Sequence, residues 1–194
     1  MNKIRMIVFL LIVMISAALL FGCTAPPQEQ AEGGNKEDIP EGMMDLAMED
    51  FEAVDFEGNT VKLSDYKGKI IFLSFWATWC PPCREEMPWM QEIYDEHKDQ
   101  DVVILAVSPT SVEMRGGDDS DRAENQVRKF ITENGYTFPV LLDKEDKAWS
   151  VYQQRGIPAN YVIDKQGIIR YTIPGAFRSK EQMETFIENI RSIE

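Results

Sequence analysis

Cys80 and Cys83 flank Pro81 and Pro82 in the run SFWATWCPPCREEMP, Ser74 to Pro88. A Cys-x-x-Cys pair can hold a soft metal ion, close a small disulfide, or exchange electrons with another thiol pair. Structural zinc takes four ligands, usually from two such pairs or from one pair and histidines. Here the third cysteine, Cys23, is remote in sequence, and the single histidine, His97, lies about four helical turns beyond Cys80. Zinc is therefore disfavoured. Copper would want a histidine or methionine beside the thiols, but the nearest candidate, Met87, falls on an apolar helical stripe and is better explained by packing. A structural disulfide closing so short a loop restrains the unfolded chain less than a long-range one. Redox exchange fits best, with no metal and no cofactor. Cys80 stands where an apolar strand gives way to a helix, so unpaired N–H groups and the helix dipole favour its thiolate. Arg84 can add positive charge. Cys83, one turn inside, is placed to attack a mixed disulfide formed by Cys80.

The elements that must position this pair follow from hydrophobic periodicity. Ile70 to Trp76 is a nearly continuous apolar run, as expected of a central strand buried on both faces. Pro81 and Pro82 suit the first turn of the helix that follows, which sets Met87, Met90, Tyr94 and His97 on one face, and Pro88 should kink it. His97, near the end of that helix, is expected to stabilise it against the dipole rather than to catalyse. Upstream, Phe51–Val54 and Val61–Leu63 flank Glu57-Gly58-Asn59 as a hairpin. Downstream come a strand at Val102–Val107, a helix at Arg122–Asn134 ended by Gly135, a strand at Pro139–Leu142 and a short helical piece at Asp146–Tyr152. A second hairpin pairs Ala159–Asp164 with Ile168–Ile173. The last helix opens on Ser179-Lys180-Glu181-Gln182, a capping box, and buries Met183, Phe186, Ile187 and Ile190. This alternation describes an α/β domain with a central sheet flanked by helices. Ser108 to Ser120 reads as a long loop beside the redox pair. Glu113, Asp118 and Asp119 against Arg115 should give it a mostly negative rim that shapes partner choice.

The chain has 194 residues, 44% of them hydrophobic, enough for one core. Its net charge of −13 disfavours nucleic acid as a partner. Residues 1–22 carry Lys3 and Arg5, no acid, and an apolar run from Met6 to Phe21, the layout of an export signal. Leu20-Phe21-Gly22-Cys23 is similar to the lipobox of bacterial lipoproteins, in which the cysteine is lipidated and becomes the N-terminus; Phe21 departs from the smaller residue usual there. An uncleaved anchoring helix is the alternative, and either arrangement tethers an exported domain to a lipid bilayer. Residues 23–45 then form the lipidated cysteine and a flexible spacer rich in Pro, Gly and charge, and residues 46–194 the folded domain.

Phe75 to Cys83 (FWATWCPPC), the Arg84-Glu85-Glu86-Met87-Pro88 that follows, the turn Leu63 to Lys69, and Gly156-Ile157-Pro158 ahead of a strand together resemble the thioredoxin superfamily. Within it they are most similar to membrane-tethered thiol-disulfide oxidoreductases of the TlpA/ResA type, whose domains are of the AhpC/TSA-redoxin kind. The resemblance implies a thioredoxin-like fold with an N-terminal β-hairpin extension. It makes Cys80 the exposed nucleophile, Cys83 the resolving thiol and Trp79 a flat wall beside them. It also implies a cis Pro158 that presents the backbone of Ile157 to an extended substrate. Ser74 stands where cytosolic thioredoxins carry a buried acid, and Glu86 matches a glutamate of the ResA-type site; the plainer reading of Glu86 is a solvated acid in an early helical turn. The implied partners are disulfides or thiols of exported proteins, with a membrane electron donor of the CcdA/DsbD type, and reduction is the implied direction. A peroxidase of the same fold is a rival, although its Thr-x-x-Cys spacing is absent here. A copper-binding metallochaperone is the other.

Overall fold

The computed structural model describes residues 43–152 and 155–194. The expectations placed on the export signal, Cys23 and most of the spacer lie outside the described residues. Eight strands form one mixed sheet: β1 (Leu46–Ala47), β2 (Glu52–Val54), β3 (Thr60–Lys62), β4 (Ile70–Phe75), β5 (Val102–Pro109), β6 (Val140–Asp143), β7 (Ala159–Ile163) and β8 (Ile168–Pro174). Their order is β1-β8-β7-β4-β5-β6-β2-β3. β4, β5 and β6 run parallel, whereas β7, β8 and the β2–β3 hairpin pair antiparallel. Among the described residues five α-helices and the 3-10 turn Leu63–Tyr66 complete the fold: α1 (Pro81–His97), α2 (Thr110–Glu113), α3 (Ser120–Asn134), α4 (Lys147–Tyr152) and α5 (Lys180–Ser192).

Strand β4 is buried at every position, as its nearly continuous apolar run requires, and its one polar residue, Ser74, is buried with the rest. Its alternate side chains supply two cores. Ile70 and Phe72 join a cluster with Met87, Met90 and Ile93 of α1, Val127 and Ile131 of α3, and Met183, Ile187 and Ile190 of α5. Ile71, Leu73 and Phe75 join Phe51, Leu63, Ala148 and Tyr152 on the opposite face. The period of two in the strand thus meets the helical stripes on one side and the N-terminal hairpin with α4 on the other.

Local chemistry sets the element ends. Gly135 closes α3 at φ 71°, the left-handed conformation a glycine adopts without strain. Ser179 accepts the Gln182 N–H (3.3 Å) at the start of α5, while Gln182 reaches back to the N–H of Arg178 (2.8 Å), one residue earlier than the sequence box suggests. Helix α1 continues through Pro88 to His97, whose Nε2 lies 3.3 Å from Glu184 of α5. The expected long loop after β5 is largely structured: β5 extends to Pro109, α2 follows at once, and α3 starts at Ser120 behind its Asp119 cap. Among the described residues no helix is long and apolar enough to cross a membrane.

Candidate active site

The chain leaves β4 at Phe75, crosses Trp76 to Trp79, and enters α1 with Cys80 as the N-cap. Pro81 and Pro82 occupy the first two helical positions, where absent N–H groups leave nothing unpaired. The first available amide is that of Cys83, and it donates to Cys80 Sγ at 3.3 Å. The sulfur therefore takes the place of a capping oxygen, and negative charge on it meets an amide donor and the helix dipole. Cys80 and Cys83 are joined as a disulfide, with Cα atoms 5.3 Å apart. Arg84 turns aside to the ring of Phe130, its guanidinium carbon 5.4 Å from the centroid.

In this disulfide form Cys80 is only 2% exposed, where the resemblance implies an exposed nucleophile. Neighbouring bulk accounts for the difference: Trp79, Pro81, Pro82, Val112 and Ile157 crowd the same groove, of about 490 Å³, that Cys80 lines and Cys83 does not. Cys83 is fully buried behind it. The order of an outer and an inner sulfur thus survives as access to the groove. Trp79 stands 37% exposed as the flat wall, and the Ile157–Pro158 peptide is cis, opening into β7.

Glu86, one turn beyond Cys83, is completely buried. The plain reading of a solvated acid is therefore corrected: α1 turns this position onto the sheet, and the acid is retained because donors converge on it. Its Oε2 accepts from Asn160 Nδ2 (2.8 Å) of β7 and from the Phe177 N–H (2.8 Å), and its Oε1 from Ser74 Oγ (3.2 Å) of β4. Burial pushes the carboxyl up from 4.5 to about 7 against the pull of the Phe177, Asn160 and Ser74 donors. The acid that Ser74 cannot supply from the strand is delivered to the same place from the helix. A carboxyl near neutrality, one helical turn beyond the inner thiol, can take up or release a proton at working pH.

Glu113 was expected on a negative rim. It is instead 2% exposed and turned inward. Its carboxylate accepts from the Thr78 N–H (2.8 Å), the Thr78 hydroxyl and Gln126 Nε2 (3.0 Å). The Trp79 indole N–H is shared by the carbonyls of Val112 (3.1 Å) and Glu113 (3.0 Å). Helix α2 is in this way lashed to the approach to Cys80. Asp119 is likewise occupied, capping α3 through the Arg122 N–H (2.9 Å). Sequence reasoning missed Glu113, Asn160 and the Phe177 amide. Asn160 alone left a signal, being a polar side chain in the otherwise apolar strand Ala159–Ile163, where burial demands a partner.

The AhpC/TSA family model matches residues 44–172. The chain is 38% identical to the thiol-disulfide oxidoreductase ResA of Geobacillus kaustophilus over 73% of this chain and 75% of that one. It is 37% identical to ResA of Bacillus anthracis over 72% of this chain and 74% of that one. Among solved structures, StoA from Bacillus subtilis superposes with a TM-score of 0.60 at 29% identity, covering 72% of this chain and 96% of that one. The pneumococcal exposed lipoprotein thioredoxin (Etrx1) from Streptococcus pneumoniae does so with a TM-score of 0.59 at 33% identity, covering 72% and 98%. The sheet order, the cysteine pair at a helix N-terminus and these relatives agree: the chain belongs to the AhpC/TSA family and is a thioredoxin-like thiol-disulfide oxidoreductase of the ResA type.

Proposed function

We propose that this enzyme works outside the cytoplasmic membrane, tethered to it, and reduces disulfides in exported proteins. The observation that carries the chemistry is the placement of the two sulfurs, Cys80 on the groove and capped by the Cys83 amide, Cys83 covered behind it. In the reduced enzyme, the Cys80 thiolate attacks one sulfur of the substrate disulfide. A Cys80–substrate bond forms, the substrate S–S bond breaks, and one substrate thiolate leaves. Cys83 then loses its proton to Glu86 and attacks Cys80 Sγ, which expels the second substrate thiolate and leaves the Cys80–Cys83 disulfide. The substrate gains two electrons and the enzyme loses two. Trp79 forms the groove wall, and the backbone of Ile157 ahead of Pro158 pairs with the extended substrate chain.

The tether is supported by the basic, apolar start of the chain and its Leu20-Phe21-Gly22-Cys23, with Cys23 as the lipidated residue. The pneumococcal relative, an exposed lipoprotein thioredoxin, agrees with that arrangement. Reduction as the direction rests on the family resemblance, and a membrane donor of the CcdA/DsbD type would restore the dithiol. The reading is tested by mixing the pre-reduced chain with a protein disulfide such as that of insulin under anaerobic, single-turnover conditions. One disulfide should be reduced for each Cys80–Cys83 pair oxidised, and Cys80→Ser should reduce none. Reduction that persists in Cys80→Ser would remove the pair from the mechanism.

A further inference from the structure

The groove beside Cys80 is mostly apolar, with Ser111 its one hydroxyl and Arg115 its one charged side chain. Arg115 follows α2, which Glu113 and the Trp79 indole hold against the active-site turn, and Gly116 after it takes φ 94°. Its guanidinium carbon lies 4.6 Å from the centre of the Trp79 ring. No hydrogen bond from its guanidinium occurs among the described residues, which leaves its N–H groups available to a planar acceptor. Arg115 is exposed, and no ion pair holds it among the described residues. A second cation, Arg155, is exposed next to the groove-lining Gly156.

Among the described residues none of the nearby acids forms an ion pair with Arg115. Glu113 points inward to Thr78 and Gln126, Asp146 takes the Ser111 N–H (3.0 Å), and Asp119 is the α3 cap. Asp118 is exposed, three residues past Arg115, without an ion pair among the described residues. A chain of net charge −13 thus carries two exposed arginines, Arg115 and Arg155, at the groove where its substrate must lie.

We propose that Arg115 is a specificity-determining residue that pairs with an acidic side chain flanking the substrate's cysteine, while Trp79, Val112 and Ile157 take an apolar neighbour. This inference rests on the disulfide-exchange reading above. The occupant is an extended segment of an oxidised protein carrying Asp or Glu within a few residues of its disulfide. The charge of the whole molecule acts in the opposite sense, repelling acidic peptides and attracting basic ones. A preference for acid can therefore arise only from the local cations.

The test uses the whole chain and two synthetic peptides, each closed by one disulfide, with an apolar residue beside the attacked cysteine. They differ only in Asp or Lys two positions before it. A neutral small disulfide, 2-hydroxyethyl disulfide, reports exchange by itself. The pre-reduced unmutated enzyme, in single turnover, should reduce the neutral disulfide and favour the Asp peptide in second-order rate constant by about 2- to 5-fold, the range of exposed ion pairs. Arg115→Gln should bring the ratio to one or below, and Arg115→Glu should invert it. An unmutated enzyme inert towards the neutral disulfide overturns the redox reading itself. Exchange with a ratio of one or less, or a ratio untouched in Arg115→Gln, overturns the role of Arg115. The Gln variant and the unmutated ratio decide the matter should Arg115→Glu fail to fold.

Discussion

Glu86→Gln replaces a buried carboxyl by an amide of the same shape and removes one titration. The amide oxygen can accept from the Phe177 N–H and Asn160 Nδ2 as Oε2 does, and its NH₂ can donate to Ser74 Oγ, a hydroxyl able to turn and accept. The variant therefore keeps the network. What changes is the proton balance. The carboxyl sits at about 7 in the folded protein, above its ordinary 4.5, so between those values the unfolded chain has released a proton that the folded chain still holds. Stability from this group is greatest below about pH 4.5, falls as pH rises through that window, and levels off above about pH 7. At ~1.4 kcal/mol for each pH unit, the displacement amounts to about 3 kcal/mol. Urea denaturation of the oxidised proteins from about pH 4 to about pH 8.5 measures it, because the other titrating groups are common to both chains. The two should be close in stability at the acidic end, and Glu86→Gln should be more stable by about 3 kcal/mol at the basic end. Parallel curves, or a variant weaker than the parent at high pH, would refute the assignment of a buried, near-neutral carboxyl.

Three further outcomes are expected. Cys83→Ser should trap its substrate as a mixed disulfide visible on non-reducing gels while Cys80→Ser traps none, and the opposite pattern would exchange their roles. Cys23→Ser should abolish incorporation of a labelled fatty-acid analogue; absence of label on the unmutated protein would remove the lipid anchor. Glu113→Ala should strip acceptors from the Thr78 and Gln126 donors and lower stability by roughly 1–3 kcal/mol, read by urea denaturation, together with a shift in tryptophan fluorescence. An unchanged transition would make the inward carboxylate incidental.

What the sequence made legible was local. The apolar run of β4, the two prolines at the start of α1, the glycine closing α3 and the turn residues of both hairpins each act within a few positions, so pattern reasoning reaches them. The cysteine pair is legible for the same reason. Glu86 was not, because its burial depends on Asn160 and Phe177, which are 74 and 91 positions away in the chain. Glu113 reads as a solvent-facing acid in a polar stretch until the tertiary fold brings Thr78, 35 positions earlier, against it. Helix α2 and the low exposure of Cys80 arise from the same packing between distant segments, which no window along the chain contains.

The equilibrium reduction potential of the Cys80–Cys83 pair tests the central claim most directly. It is measured against glutathione buffers by following tryptophan fluorescence or thiol labelling. Placement as a reductant predicts a value in the range of thioredoxin and the glutaredoxins, about −270 to −200 mV, and at ~30 mV for every ~1.4 kcal/mol the result is well resolved from an oxidant. A potential near −120 mV, that of a strong dithiol oxidant, would contradict it.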